Sequence, residues 1–204
     1  MLIKKFQRYF LNLPKLKSMT AKEKCKQGLL YNASHDEELI NERKTCKSLC
    51  QQFNQTQYSE SEERVQLIKK ILNKTKNNFL IEQSFWCDYG YNIEIGENFY
   101  SNHNLVILDC AEVKFGDNVF IGPNCSFYTA NHPINIKQRN AGLEYAQPIT
   151  IGNNVWLGGN VTVLPGVTIG DNTVIGAGSV VTKDIPNNVI AVGNPCKILK
   201  EIIE

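Results

Sequence analysis

A six-residue period runs through the C-terminal half of this 204-residue sequence. Aligned from Ile151, successive units read IGNNVW, LGGNVT, VLPGVT, IGDNTV, IGAGSV and VTKDIP. Every unit begins with Ile, Leu or Val, and every fifth position is Val, Thr, Ser or Ile. Gly fills four of the six second positions. The same phase appears in FGDNVF, IGPNCS and FYTANH (115–132), while an earlier set, IGENFY, SNHNLV and ILDCAE (95–112), is offset by two residues. Internal repetition of this kind implies a solenoid of stacked short strands. One aliphatic residue per unit points inward, a small or β-branched fifth residue fits a tight corner, and Gly or Asn at positions two to four supports turns with unusual backbone angles.

The repeat breaks after His132. The segment PINIKQRNAGLEYAQP (133–148) lacks the motif, yet the phase resumes afterwards, as it must if a loop leaves a stiff scaffold and returns. Such excursions are common places for function. His132 stands at the root of this one and Glu144 lies inside it, a pairing suited to a general base with a carboxylate to orient its ring.

Residues 20–77 have a different texture. Thr20 with Glu23, Ser34 with Glu37, and Ser59 with Glu62 fit the pattern in which hydroxyl and carboxylate satisfy free amides at a helix start. Leu39, Cys46, Leu49, Cys50 and Phe53 share one helical face, as do Val65, Ile68, Ile71 and Leu72. Gly28 ends the short first helix. The expected organisation is a basic extension (1–18), a helical region (19–78) and a β-helix domain with a C-terminal tail (79–204). The extension MLIKKFQRYFLNLPKLKS lacks the apolar core and cleavage site of a secretory signal and is read as sequence upstream of a start at Met19.

Charge and cysteine content narrow the function classes. Net charge is +2, and no apolar run approaches the ~18 residues that span a bilayer, so neither a nucleic acid nor a membrane partner is expected. Residues 1–78 hold 16 Lys+Arg against 8 Asp+Glu, leaving 6 against 12 in the remainder. Three of those six cations, Lys183, Lys197 and Lys200, sit near the chain end, as a local anion site on an acidic scaffold requires. Seven cysteines at irregular spacing suit a reducing cytoplasm. Cys46 and Cys50 are four apart on a helix, but no other Cys or His pair completes a zinc set. They and Cys87, Cys110, Cys125 and Cys196 are read as small packing residues, with no metal expected.

The phrases CDYGYNIEIGENFYSN (87–102), LD (108–109), YTANHP (128–133), NAGLEY (140–145), ITIGNNVWLGGN (149–160), PGVTIGDNTVIGAGSVVTKDIP (165–186) and GNPCKI (193–198) resemble the maltose and galactoside O-acetyltransferase family of hexapeptide-repeat acyltransferases. The segment beginning TAKEK (20–24) resembles that family's N-terminal region. The resemblance implies a mainly β fold, a left-handed parallel β-helix with a small α-helical N-terminal region and an extended loop at about 133–148. It implies a homotrimer with active sites between adjacent chains, acetyl-CoA as co-substrate and a saccharide acceptor such as maltose, glucose or a galactoside. By position, His132 matches the catalytic base and Glu144 a group that orients it. Asp88, Asn102 and Asp109 match acceptor-site positions, and Cys110 falls where some relatives have a second acid. Trp156, Gly159 and Ala177 match the channel for the pantetheine arm, and Thr182, Lys183, Lys197 and Lys200 lie at the end that holds the nucleotide of coenzyme A.

Three other readings remain open at this point. One is a hexapeptide acetyltransferase with a non-sugar acceptor such as an antibiotic. Another is a metal enzyme of the γ-carbonic anhydrase type, which needs three histidine ligands where the repeat region offers only His103 and His132. The last is a non-catalytic trimeric scaffold.

Overall fold

A computed structural model describes residues 19–72 and 74–203; the basic extension lies outside the described residues. The chain enters through helix α1 (Ala21–Lys26), strand β1 (Tyr31–Asn32), helix α2 (Glu37–Gln55) and helix α3 (Ser61–Ile71). Thr20 and Glu23 cap α1 reciprocally, and Gly28 follows it at φ +64°. The other two capping expectations fail. Asp36, not Ser34, caps α2 by accepting from the Leu39 amide, because a carboxylate one residue from the first turn reaches that amide directly. At α3 the Glu60 carboxylate accepts from the Gln57 amide and no side chain caps the helix. Leu39, Cys46, Cys50 and Phe53 of α2 are buried against the solenoid; in α3, Arg64 and Leu67 are buried while Val65 is only half-buried. Arg64 enters the core because Glu82 meets it there, Nη2 to Oε2 at 3.0 Å.

The solenoid winds through six coils. The first comprises β2 (Phe79–Ile81), β3 (Phe85–Cys87) and β4 (Ile93–Glu94), and the second β5 (Phe99–Ser101), β6 (Leu105–Leu108) and β7 (Val113–Phe115). The third holds β8 (Phe120–Ile121) and β9 (Ser126–Tyr128). It then makes the excursion through β10 (Ala130–Asn131), α4 (Ile136–Asn140) and β11 (Leu143–Ala146), and closes on β12 (Ile149–Ile151). The fourth is β13 (Trp156–Leu157), β14 (Thr162–Val163) and β15 (Thr168–Ile169). After β16 (Val174–Ile175) and β17 (Val180–Val181), β18 (Val189–Val192) begins the last coil, and β19 (Lys197–Glu201) turns back antiparallel on it. Parallel pairing builds three faces: β2-β5-β8-β13-β16-β18, β3-β6-β9-β14-β17 and β4-β7-β12-β15.

Two edges of this prism have constant length and one does not. From first to second face the step is six residues, as in Ser101 to Ile107, Ile121 to Phe127, Leu157 to Val163 and Ile175 to Val181; from third to first it is again six, as in Phe115 to Ile121 and Ile151 to Leu157. From second to third face it is eight from Ile107 to Phe115, 24 from Phe127 to Ile151, six from Val163 to Ile169 and four from Val181 to Ile185. The two-residue phase offset of the early repeats therefore resides wholly at this one variable edge.

Each unit buries two side chains rather than one. Besides the first-position Ile, Leu or Val, the fifth-position residues Val155, Val161, Val167, Thr173, Ser179 and Ile185 are all buried. The two hydroxyls bond backbone, Thr173 to Pro186 O and Ser179 to Gly176 O. Unusual backbone angles belong to the fourth position, where Asn98, Asn118, Asn154, Asn160 and Asn172 have φ of 55–58°. The second-position glycines have a different purpose: a Cβ on Gly158 would stand 2.6 Å from the Ala177 amide nitrogen of the next coil. Their absence of a side chain sets the coil spacing. The asparagines also link coils, with Asn98, Asn118, Asn154, Asn172 and Asn188 joined side chain to side chain at 2.8–3.0 Å.

Candidate active site

The variable edge collects most of the polar residues singled out in the sequence. Asp88 follows β3, Asp109 follows β6, the excursion carrying His132 and Glu144 follows β9, and Thr182 and Lys183 follow β17. Parallel stacking brings these corners, distant in sequence, along one line. Residues outside the repeat close over the same edge: β1 pairs with β11, setting Tyr31 opposite Glu144 and Asn32 opposite Leu143. The presumption of an all-helical N-terminal segment misses this strand, which two residues are too few to signal in sequence.

Asp109 is the most confined group here. It is fully buried; its Oδ1 accepts from the amides of Asp88 and Tyr89, both at 2.9 Å, while Oδ2 has no partner. Burial pushes its carboxyl up to about 6, against the opposing pull of those two amides. Asp88 is half-buried and faces Lys47 Nζ at 3.2 Å, with the Cys110 thiol 4.0 Å from its other oxygen. Thr129 anchors the mouth of the excursion, donating to Leu108 O and accepting from the Ala111 amide.

His132 is exposed, and its Nδ1 lies 3.1 Å from the Leu143 carbonyl oxygen. A carbonyl only accepts, so Nδ1 carries a proton, and Nε2 is the basic nitrogen of the neutral ring. The group that holds the imidazole is thus the backbone of Leu143, one residue from the expected Glu144. Strand β10 pairs with β11 through Ala130–Ala146 and Asn131–Tyr145, and one further step of that register sets His132 opposite Glu144. Glu144 Oε1 and Tyr31 Oη are buried without partners. Burial, with the neighbouring Cys110, Cys25 and Glu144, drives the Tyr31 phenol far above its ordinary range.

Sequence reasoning missed the groups brought in by β1 and α2. Arg43 donates from Nη1 to Tyr89 Oη at 2.7 Å and from Nη2 to Ala33 O at 2.8 Å, tying α2 to the corner beside Asp88. Beneath lies a cavity of about 900 Å³ whose walls include Lys22, Tyr31, Tyr89, Tyr91, Asn92 and Cys110. Arg43 is one arginine among lysines, a faint signal for fixed, multidentate bonding.

The remaining candidates lie elsewhere. Asn102 follows the first-face strand β5, and the strand registers carry it onto the first-to-second edge together with Gly159 and Ala177. Trp156 stands 57% exposed on the first face and with Asn102, Tyr100, Phe120 and Gly122 borders a shallow groove of about 490 Å³. Lys197 and Lys200 are exposed on β19 at the far end. The second face therefore separates Asn102, Gly159 and Ala177 from Asp109 and His132 within one chain.

Among the described residues the one group that offers three metal-ligating side chains within reach of each other is Cys46, Cys50 and Cys87, with no histidine in it. No second Cys or His pair joins Cys46 and Cys50 among the described residues, but β3 carries the single Cys87 under α2, which spacing in sequence does not signal. None of the described helices is long and apolar enough to cross a membrane.

Comparison with known proteins agrees with this architecture. Residues 24–76 match the family model of the maltose acetyltransferase hexapeptide capping motif, and residues 148–183 match six repeats of the bacterial transferase hexapeptide. The chain is 46% identical over 185 residues to the galactoside O-acetyltransferase of Escherichia coli, covering 91% of each protein. A maltose O-acetyltransferase from Clostridium difficile superimposes with a TM-score of 0.88 at 50% identity, covering 92% of this chain and all of that one. A galactoside acetyltransferase in complex with coenzyme A gives the same TM-score at 46% identity, over 91% of this chain and 92% of that one. Helices that cap a parallel solenoid, a one-edge excursion bearing a histidine and this extent of identity together make the chain a member of the maltose and galactoside O-acetyltransferase family of hexapeptide-repeat acetyltransferases.

Proposed function

We propose that the protein transfers an acetyl group from acetyl-CoA directly to a hydroxyl of a saccharide, with His132 as general base. The observation that carries this reading is the tautomer: Nδ1 bonds the Leu143 carbonyl, so Nε2 of the neutral ring projects an available lone pair from the exposed root of the excursion. As the sugar oxygen attacks the thioester carbonyl, Nε2 takes its proton and the carbonyl electrons move onto oxygen. Collapse of that oxyanion breaks the C–S bond, and the imidazolium returns the proton to the departing thiolate. No covalent enzyme intermediate is needed.

Asp88 on the same edge supplies a polar contact that a hydroxyl-rich acceptor requires on leaving water, and buried Asp109 holds that corner through the Asp88 and Tyr89 amides. Glu144, across from His132, stabilises the imidazolium as it forms. Trp156, Gly159 and Ala177 fit the pantetheine arm, and Thr182, Lys183, Lys197 and Lys200 fit the phosphates of the nucleotide. His132, Asp88 and Asp109 lie on the variable edge while Gly159 and Ala177 lie across the second face, so one chain does not bring the base and the path of the pantetheine arm together. A homotrimer that sets one chain's variable edge against its neighbour's first-to-second edge completes the site. Exposed Phe120 and Trp156, stacked in register on the first face beside half-buried Tyr100, favour such association, since large apolar side chains grouped on a surface mark contact sites. Seven buried free thiols favour a reducing compartment such as the cytoplasm.

The test is thiol release from acetyl-CoA with maltose, glucose and galactosides, comparing wild type with His132→Ala. Acceptor-dependent release that falls by about 100-fold or more, with coenzyme A binding retained, is the expected result. Release unchanged by the substitution removes His132 from the mechanism, and release with non-sugar acceptors alone removes the saccharide.

A further inference from the structure

Three cysteines that the transfer reaction does not use meet between α2 and the first coil. Cys46 and Cys50 stand one turn apart on α2, and Cys87 rises from β3 beneath them, with Sγ of Cys87 3.4 Å from that of Cys46 and 3.7 Å from that of Cys50. All three are buried free thiols, 0–4% exposed. Their sulfurs lie within 4.8 Å of one another, and among the described residues no His, Asp or Glu joins them. We propose that Cys46, Cys50 and Cys87 form a three-sulfur binding site for a trivalent, thiophilic centre, of which inorganic arsenite is the simplest source.

Ligand type and charge select this occupant. An all-sulfur set favours soft centres over magnesium, calcium or manganese. Zinc in a closed site takes four ligands, and this cluster provides three. A dry core also penalises net charge. Three thiolates around a monovalent ion leave two negative charges, and around a divalent ion one; around a trivalent centre they leave none. A pyramidal trivalent centre further draws its sulfurs closer together than a planar one, in keeping with the short separations here.

The chemistry balances without a redox partner. Arsenous acid exchanges three hydroxyls for three sulfurs; each S–H proton leaves with a hydroxyl as water, three As–S bonds replace three As–O bonds, and no oxidation state changes. The product staples α2 to β3, joining the helical cap to the solenoid.

The reduced full-length protein is incubated with sodium arsenite and examined by native mass spectrometry, then unfolded and alkylated. The expected result is one added arsenic less three hydrogens per chain, with Cys46, Cys50 and Cys87 protected and Cys25, Cys110, Cys125 and Cys196 alkylated. Cys87→Ala should weaken binding by about 100-fold or more, the loss of one of three linked attachments, while Cys125→Ala leaves it unchanged. Absence of the adduct, protection of a different set of cysteines, or full binding by Cys87→Ala overturns the site. Retention of zinc(II) in preference to arsenite overturns the charge argument. The protection pattern needs only wild-type protein, so the proposal stays testable if a variant fails to fold.

Discussion

Replacing Asp109 by asparagine should alter the pH dependence of stability. The wild-type carboxyl is raised from 3.8 to about 6 by burial, so the folded state holds its proton more tightly than the unfolded state does. Between those two values the folded protein binds more protons, and stability falls as pH rises. The contribution is fully present below the unfolded value and is lost as pH climbs through the folded one. Linkage over this window amounts to about 2 kcal/mol between roughly pH 4.5 and 7.5, with no discount for solvent because the side chain is fully buried. Asparagine keeps the acceptor for the Asp88 and Tyr89 amides and cannot ionise. Urea unfolding of both proteins across that range should show the variant gaining about 2 kcal/mol on wild type toward neutral pH. Parallel curves would show that Asp109 titrates normally and that its second oxygen is solvated, which refutes the reasoning. Paired carboxylates such as Glu42, lowered by its bonds from Lys22 and Tyr91, act in the opposite direction but cancel in the difference.

Other consequences follow from the same geometry. Gly170→Ala places a Cβ 2.6 Å from the Asn187 amide nitrogen and 2.8 Å from the Pro186 carbonyl carbon, and should cost about 3 kcal/mol in chemical denaturation. Gly178→Ala meets nothing within 4 Å and should cost only the ~1 kcal/mol of its positive φ; equal losses would refute the coil-spacing argument. Glu82→Ala strands the Arg64 guanidinium in the core and should lose about 3–5 kcal/mol, measured by thermal unfolding, with much of it recovered when Arg64 is also replaced by methionine. Asn154→Gly should lose about 1 kcal/mol by removing its ladder bonds to Asn118 and Asn172, and Asn154→Ala about 1 kcal/mol more because its φ is 55°. Identical melting temperatures for those two variants would show that the ladder, not the backbone angle, decides this position.

Much of the solenoid was legible in the sequence because each hexapeptide repeats one local demand: an aliphatic residue inward, a glycine where the next coil presses, an asparagine where the chain turns left-handed. Even so, the pattern alone did not separate the roles within positions two to four: Asn, or Gly at 166 and 178, takes the positive φ at the fourth, while Gly at the second makes room for the next coil. It also hid the second buried position, since Thr173 and Ser179 look polar until their hydroxyls are seen bonded to backbone. His132 was legible from its place at the break in the period. Its restraint by the Leu143 carbonyl was not, because every residue has a carbonyl and none is marked in sequence. The capping of α2 by Asp36 was obscured in the same way by a nearby serine that matched the pattern equally well.

What the residues determine by themselves is the periodic part: strand, corner and stacking follow from contacts between positions a fixed number of residues apart, so they can be read along the chain. Tertiary structure alone decided which distant groups meet. Variable corner lengths on one edge align Asp88, Asp109 and the excursion; a two-residue strand sets Tyr31 against Glu144; and β3 brings Cys87 under Cys46 and Cys50. No local rule specifies such encounters, because they arise from how coils of different length close on a common prism and from how the helical cap settles on it.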